Sequence, residues 1–515
     1  MLVGDILRST ANRYPKKTGV VFGDHRYTWE QVNARVNSLA RGLLSLGLKK
    51  QDKVAILSRN CHQYIEFYFA TAKAGLVGVP LNTWLKRKEL AQFIENSGAN
   101  TIIIDTSYLE LAQSVNAKGI KNFIGLGEGH PYSNDFEALI AANSADEPEV
   151  DVNENDLFVL SYTSGTTGMP KGAMITHRNA TTSIICMALE WRLDPHHVYL
   201  LHAPMFFAAG GGARLHPVLR GCTCVVMTYD AQAILQTIEK ERITHISFSP
   251  TPIKRIVDHP DAGKYDLSSV EFIGLTGATH SVAELRKLEQ VFGHVWCSAY
   301  GMAESVNCGA ILQPEEVAIE GPLSKRLGAI GKATIGLDLR VVNEQGHDVA
   351  PDGKELGEII LHGDMMTNGY LGMPQETANI IKDGWFYTGD MATVDEDGYT
   401  FIVDRKKDMI ISGGINIYPR EIEEVIYTHP AVSHCTVIGV PDEEWGETPK
   451  AVVVLRDGMK ATEEAIIDLC RQNLASFKKP TSVDFVDNLP MTPSGKILKR
   501  EVAGQYWKGY EKRVH

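Results

Sequence analysis

The 515-residue chain has no apolar run approaching the roughly 20 residues that a membrane-spanning helix requires. Positive charge is in deficit: 51 Lys and Arg face 63 Asp and Glu, a net charge of −12, which argues against a nucleic-acid partner. The eight cysteines are scattered; Cys222 and Cys224 form the only close pair. With no C-x-x-C there is no zinc or redox signature, and the pattern suits reduced thiols in a cytoplasmic protein. Internal repeats, low-complexity tracts and coiled-coil heptads are also missing. Met1-Leu-Val-Gly-Asp5 meets an acid at once and is followed by Arg8, Arg13, Lys16 and Lys17. That is an amphipathic helix rather than a signal peptide. What remains is a globular composition, long enough for one large domain and a smaller one.

Helical and strand patterns alternate through the first 150 residues. A helix beginning in Tyr27–Asn33 runs to about Leu46, and Tyr64–Ala74 forms an apolar helix. Lys53–Leu57 and Thr101–Asp105 are short buried strands, followed by Cys224–Met227, His245–Phe248 and Phe272–Leu275. This alternation predicts α/β layers around largely parallel sheets. After about Gly328 strands with Gly and Asp turns dominate: Leu339–Val342, Gly357–Leu361 and Tyr399–Val403. Beyond the charged run Asp404-Arg-Lys-Lys-Asp408 lie helices at Arg420–Tyr427 and Thr462–Leu474 and strands at Val432–Val440 and Lys450–Leu455. The expected fold is therefore α/β, with a large N-terminal domain of mostly parallel sheets and a β-rich subdomain (1–406) and a smaller α+β C-terminal domain (407–515).

The segment richest in chemistry is Tyr162-Thr-Ser-Gly-Thr-Thr-Gly-Met-Pro-Lys-Gly172, after the strand Leu157–Leu160. Gly165, Gly168 and Gly172 permit close backbone approach. Thr163, Ser164, Thr166 and Thr167 offer hydroxyls, and Lys171 supplies a cation. Such a loop turns its N–H groups toward an anion, which points to phosphate. It also places positive charge against an acidic overall field. A Walker loop is excluded, because Met169-Pro170 follows Gly168 where Lys-Ser/Thr would be needed.

The string resembles the signature loop of the adenylate-forming superfamily: acyl- and aryl-CoA synthetases, firefly-type luciferases and peptide-synthetase adenylation domains. The resemblance covers nearly the whole chain in motif order and spacing. It implies an ATP-dependent acid–CoA ligase that uses Mg²⁺, turning a carboxylic acid into an acyl-AMP and then, with coenzyme A, into an acyl-CoA. Thr167 and Lys171 would act on the phosphates. Gly277, Ala278 and Thr279 match the segment beneath the adenine. In Tyr300-Gly301-Met302-Ala303-Glu304, Tyr300 would stack on adenine and Glu304 would hold Mg²⁺. Ala303 departs from the family, which commonly has Thr contacting the α-phosphate there; Ser305 or the loop hydroxyls are the candidates to replace it. Asp390 matches the ribose carboxylate, with Arg405 as a second ribose contact.

By the same resemblance residues 407–515 form a mobile lid. Lys496, in Pro490-Met-Thr-Pro-Ser-Gly-Lys496, would reach the carboxylate and the α-phosphate, offsetting the repulsion between two anions. The second half-reaction needs the cleft emptied of Lys496, so the lid has two productive positions. Lys407 would be their hinge. Ser412, Gly413 and Gly414 would line the pantetheine tunnel. Phe207, Ala208 and Gly211 occupy the place of the acid-binding segment, with Val306, Asn307 and Ile330 beside them. Many relatives have His where Phe207 stands. No Arg or Lys lies in these stretches to pair with a second carboxylate, which favours an apolar medium-chain, branched or aryl monocarboxylate. Homodimers are found in the family. The alternatives are delivery of the acyl-AMP to another acceptor, or a nucleotide-binding regulator without turnover; the combination of Glu304, Asp390 and Lys496 speaks against the latter.

Overall fold

The structure, a computed structural model, describes residues 1–113, 119–163, 170–207, 215–277, 280, 282–413, 415–491 and 497–508. The chain divides into two compact units, Met1–Leu339 with Leu361–Phe386, and Arg340–Ile360 with Tyr387–His515. The boundary expected at 406/407 falls inside the second unit. No helix among the described residues is long and apolar enough to cross a membrane.

The first unit contains a nine-stranded and a seven-stranded sheet. In the former, Thr18–Phe22, Thr223–Val226, Val198–Leu201, His245–Phe248, Phe272–Thr276 and Trp296–Gly301 lie side by side and parallel. His25–Thr28 closes one edge and Gly309–Leu312 with Lys332–Ala333 the other, all antiparallel. In the second sheet Lys53–Leu57 runs parallel to both Val77–Pro80 and Thr101–Asp105. Every residue of Thr101–Asp105 is buried, and all but the first of Lys53–Leu57, because parallel sheets are covered on both faces; such strands read as continuous apolar runs.

The helix expected from Tyr27 is Trp29–Ser45. Its start is set by a capping box: the Gln31 N–H donates to Thr28 Oγ1 (3.2 Å), and the Thr28 N–H donates to Gln31 Oε1 (2.8 Å). An amphipathic helix at the N-terminus spans Val3–Arg13, with Val3, Ile6, Leu7, Thr10 and Ala11 buried on one face.

Asp338–Val342, Gly357–His362, Trp385–Val394 and Thr400–Arg405, most of whose residues fall in the second unit, are neighbours in one sheet. A further sheet is built on the long antiparallel pair Val432–Asp442 and Gly446–Leu455. Its core gathers Ile410, Ile417, Ile422, Ile426, Val437 and Val453, with Ile466 and Cys470 from the helix Glu463–Asn473.

Candidate functional site

Parallel strands bring their C-terminal ends to one edge, where α/β sheets collect ligand-binding loops. Phe272–Thr276 and Trp296–Gly301 pair with Thr276 opposite Ala299, so Gly277 and the Tyr300–Glu304 motif leave adjacent strands at that edge. The segment leading to Phe207 leaves Val198–Leu201 at the same edge. Gly277 has φ of +90°, a conformation glycine adopts without strain.

Close backbone packing shapes the tyrosine motif. Tyr300 pairs with Ala310 and Gly301 with Gly309 across an antiparallel hairpin. A Cβ on Gly301 would lie 2.2 Å from the Asn307 carbonyl oxygen, which accounts for glycine there. The turn continues through Val306 (φ +49°) and Asn307 (φ +64°). Asn tolerates this left-handed region, but a β-branched Val is strained in it, and such strain concentrates at functional sites. Val306 is buried, and Ser183 Oγ donates to its carbonyl (2.8 Å). Ala303 is also buried. The Ser305 side chain is fully buried: its hydroxyl lies within hydrogen-bond reach of the Met302 and Cys308 carbonyls and accepts from the Met302 N–H.

Glu304 is buried at 8% exposure, and Tyr370 donates its phenol to Glu304 Oε1 at 2.6 Å. Among the described residues no Lys, Arg or His forms an ion pair with Glu304. Lys171 opens the strand Lys171–Thr176, which pairs with Leu157–Thr163 so that Thr163 faces Lys171. The Lys171 ammonium lies over the Tyr370 ring, 5.3 Å from its centroid. Tyr370 thus links the loop's cation to the buried carboxylate. It is firmly held: Ala173 and Tyr370 form a β-bridge, the Leu371 N–H donates to the Gly172 carbonyl (2.9 Å), and the Tyr370 N–H donates to Thr377 Oγ1 (3.0 Å). Burial, then the adjacent Glu304 carboxylate, pushes the phenol's pKa well up, so it stays a donor. Sequence reasoning missed Tyr370; its one signal is an aromatic set in Asn368-Gly-Tyr-Leu-Gly372 after a strand.

Phe207 packs against Phe206 (4.7 Å between centroids) and edge-on against Trp84 (5.3 Å). Trp84 meets Phe206 in the same way at 5.2 Å. The preceding Met205 is gripped at both ends: its N–H donates to Asn60 Oδ1 (2.9 Å), and its carbonyl accepts from the Tyr68 phenol (2.9 Å). Asn60 also donates to the His202, Ala203 and Met227 carbonyls, pinning the whole segment. Neither Asn60 nor Trp84 carries a sequence signal for this work. Ile330 is buried just before Gly331, which crosses Ile311 closely.

The second unit brings Asp390 and Arg405 together as cross-strand neighbours, with Arg405 Nε 2.9 Å from Asp390 Oδ1. Lys407 lies in the single turn Lys406–Asp408. Ser412 pairs with Ile415 and Gly446. Gly413 (φ +57°) donates its N–H to the Trp445 carbonyl (2.8 Å), and a Cβ there would sit 2.6 Å from the Trp445 ring. Ser164, Gly165, Thr166, Thr167, Gly168, Ala208, Gly211, Ala278, Thr279, Gly414 and Lys496 lie outside the described residues.

One group among the described residues has metal-ligand spacing: His196, His197 and Glu271. It precedes the strands Val198–Leu201 and Phe272–Thr276, at the opposite end of the sheet from Gly277. The Asp194 N–H donates to His197 Nδ1 (2.9 Å), which places the ring proton on Nε2, facing Glu271 at 3.4 Å. A metal-bound imidazole donates from its outer nitrogen rather than accepting there, so this group is a hydrogen-bonded pair.

The AMP-binding enzyme family matches residues 7–371, and the AMP-binding enzyme C-terminal domain matches residues 421–496. A feruloyl-CoA synthase of Amycolatopsis sp is 39% identical over 96% of this chain and 97% of its own length. The 4-hydroxybutyrate–CoA ligase 2 of Metallosphaera sedula is 34% identical over 95% of this chain and 92% of its own. Among solved structures, ATP-bound MatB from Rhodopseudomonas palustris superposes with a TM-score of 0.89 at 28% identity, covering 99% of this chain and 100% of that one. The chain belongs to the AMP-binding enzyme family, within the adenylate-forming superfamily that contains the acyl-CoA synthetases.

Proposed function

We propose that this enzyme joins an apolar or aryl monocarboxylic acid to coenzyme A through an acyl-adenylate. The acid's carboxylate attacks the α-phosphorus of ATP, pyrophosphate leaves, and the thiol of coenzyme A then displaces AMP from the acyl carbon. The observation that carries this reading is Glu304: a buried carboxylate with one oxygen taken by Tyr370 and, among the described residues, no ion-pair partner. A buried charge needs a partner, and a hard oxygen donor suits Mg²⁺. Bound there on the phosphates of ATP, Mg²⁺ would neutralise the charge of the departing pyrophosphate.

The chain's own residues have the following parts in this reading. Thr163, Ser164, Gly165, Thr166, Thr167, Gly168 and Lys171 hold the phosphates. Gly277, Ala278, Thr279 and Tyr300 hold the adenine, and Asp390 and Arg405 the ribose. Lys496 serves adenylation, Lys407 is the pivot of the segment that carries it, and Ser412, Gly413 and Gly414 border the pantetheine path. The acid class is supported by the aromatic trio Trp84, Phe206 and Phe207 and by the aryl acid in the name of the feruloyl-CoA synthase.

The test is a panel of aliphatic and aryl acids, scored for acid-dependent ATP–pyrophosphate exchange and for AMP release that depends on coenzyme A. The expected result is both activities with apolar or aryl monocarboxylates. Release of ADP would refute the adenylate route. Exchange without any thioester would point to a different acyl acceptor, and dicarboxylates as the best substrates would refute the acid class.

A further inference from the structure

We propose that Tyr370 is a positioning residue for Glu304, fixing the carboxylate so that its second oxygen is presented to the divalent cation of the metal–ATP complex. The inference rests on the reading of Glu304 given above. Three observations support it. The phenol donates to Oε1 at 2.6 Å within a buried site, which removes that oxygen from competition for the metal and stops the carboxylate from rotating. The Tyr370 backbone is locked on both sides, by the bridge to Ala173 and by the Thr377 hydroxyl, so the phenol cannot follow a wandering carboxylate. The Lys171 ammonium over the ring polarises the phenol toward donation and ties the same tyrosine to the end of the phosphate loop.

Glycine at 369 belongs to this arrangement. It has φ of +115°, and a Cβ there would come within 2.3 Å of Thr377, the residue that accepts the Tyr370 N–H. Tyrosine, threonine and glycine therefore form one unit whose output is the orientation of Glu304. Partners that orient a metal-binding side chain in this way typically change metal affinity by about 10–100-fold when removed.

The experiment compares wild type, Tyr370→Phe, Glu304→Gln and the double variant. Mn²⁺ binding in the presence of a non-hydrolysable ATP analogue is measured by electron paramagnetic resonance, a readout that needs no turnover. Tyr370→Phe is expected to weaken Mn²⁺ about tenfold or more, and to raise the Mg²⁺ concentration needed for half-maximal pyrophosphate exchange by a similar factor. Its thermal midpoint checks that the fold is intact. In the Glu304→Gln background the same substitution is expected to change Mn²⁺ binding little, because its effect passes through Glu304. Wild-type Mn²⁺ affinity in Tyr370→Phe, or an equal loss in both backgrounds, would overturn the proposal. If wild type and Glu304→Gln bind Mn²⁺ alike, the metal reading of Glu304 itself fails, and this inference with it.

Discussion

In the proposed reading Ala303 stands where a hydroxyl would serve the α-phosphate. Ser305 is the nearest hydroxyl in sequence, but it is buried and engaged with the Met302 and Cys308 backbone. If position 303 faces the α-phosphate as proposed, a hydroxyl restored there gains a charge-assisted hydrogen bond, worth about 1.5–3 kcal/mol. Ala303→Thr is therefore expected to raise the rate of acid-dependent pyrophosphate exchange by about tenfold. An unchanged or lower rate would mean that this site does not face the α-phosphate. His177 makes a residue-scale prediction about stability. It is fully buried and accepts the Val3 N–H at Nδ1 (3.3 Å), so the neutral ring is the form the fold holds. Burial lowers its pKa from 6.5 to about 4, against the opposing pull of Asp156 and Asp5. Between those values the unfolded chain binds the extra proton. The contribution is thus whole above pH 6.5 and lost as pH falls toward 4, with about 2 kcal/mol of it gone by pH 5. His177→Asn, which can still accept the Val3 N–H, is expected to lower the thermal midpoint at pH 7 and to narrow its difference from wild type at pH 5. A difference that does not change with pH would show that His177 titrates alike in the folded and unfolded chain.

The edge of the nine-stranded sheet is the element most exposed to a single methyl group. Gly331 has φ of +95°, and a Cβ there would stand 1.9 Å from the Ile311 carbonyl oxygen. Neither backbone can yield without opening the pairing of Gly309–Leu312 with Lys332–Ala333. Gly331→Ala combines overpacking with an unfavourable φ, for a cost of about 2–4 kcal/mol. A fall in the urea midpoint with Tyr300 function impaired is expected; an unaffected midpoint would place the glycine's role elsewhere. This contact is not legible in the sequence, because it depends on a crossing between segments about twenty residues apart. Elements whose cause is local were legible. Lys53–Leu57, Thr101–Asp105 and His245–Phe248 form strands over the expected residues, since a fully buried strand must be an apolar run. Expected Cys224–Met227 is Thr223–Val226, a one-residue shift set by pairing with Val198–Leu201. Glu304 stood out because its motif is contiguous. Tyr370 did not, because its phenol meets a carboxylate 66 residues away and nothing near it in sequence marks that contact. Trp84 and Asn60 were hidden for the same reason.

At the scale of the whole molecule, the proposed function asks one chain to run two reactions, with Lys496 serving the first and out of the way for the second. A backbone pivot is the simplest device, and Lys407 sits where one can work. It lies in a single helical turn between the strands Thr400–Arg405 and Ile410–Ser412, each held by its own sheet. Just before the turn, Asp404 is buried and acts as a clasp: Oδ1 accepts the Arg405 N–H (2.7 Å), and Oδ2 accepts the Arg420 N–H (2.9 Å) at the start of the next helix. With Lys407 as the proposed pivot, rotation there would part the Arg420 N–H from Asp404, and this bond would then belong to one lid position only. Proline fixes φ near −65° and also disfavours the helical region for the residue before it, here Lys406. Lys407→Pro is thus expected to hold one position and to separate the half-reactions. One of the two, pyrophosphate exchange or conversion of supplied acyl-AMP to thioester, should fall by about 100-fold while the other stays within about threefold of wild type. Lys407→Ala should change neither by more than about threefold, because the pivot is a property of the backbone and not of the ammonium. The variants are compared at equal folded fraction, judged by thermal midpoint, since proline can also loosen the turn. If Lys407→Pro is folded and both half-reactions keep their wild-type rates, the pivot lies outside Asp404–Asp408.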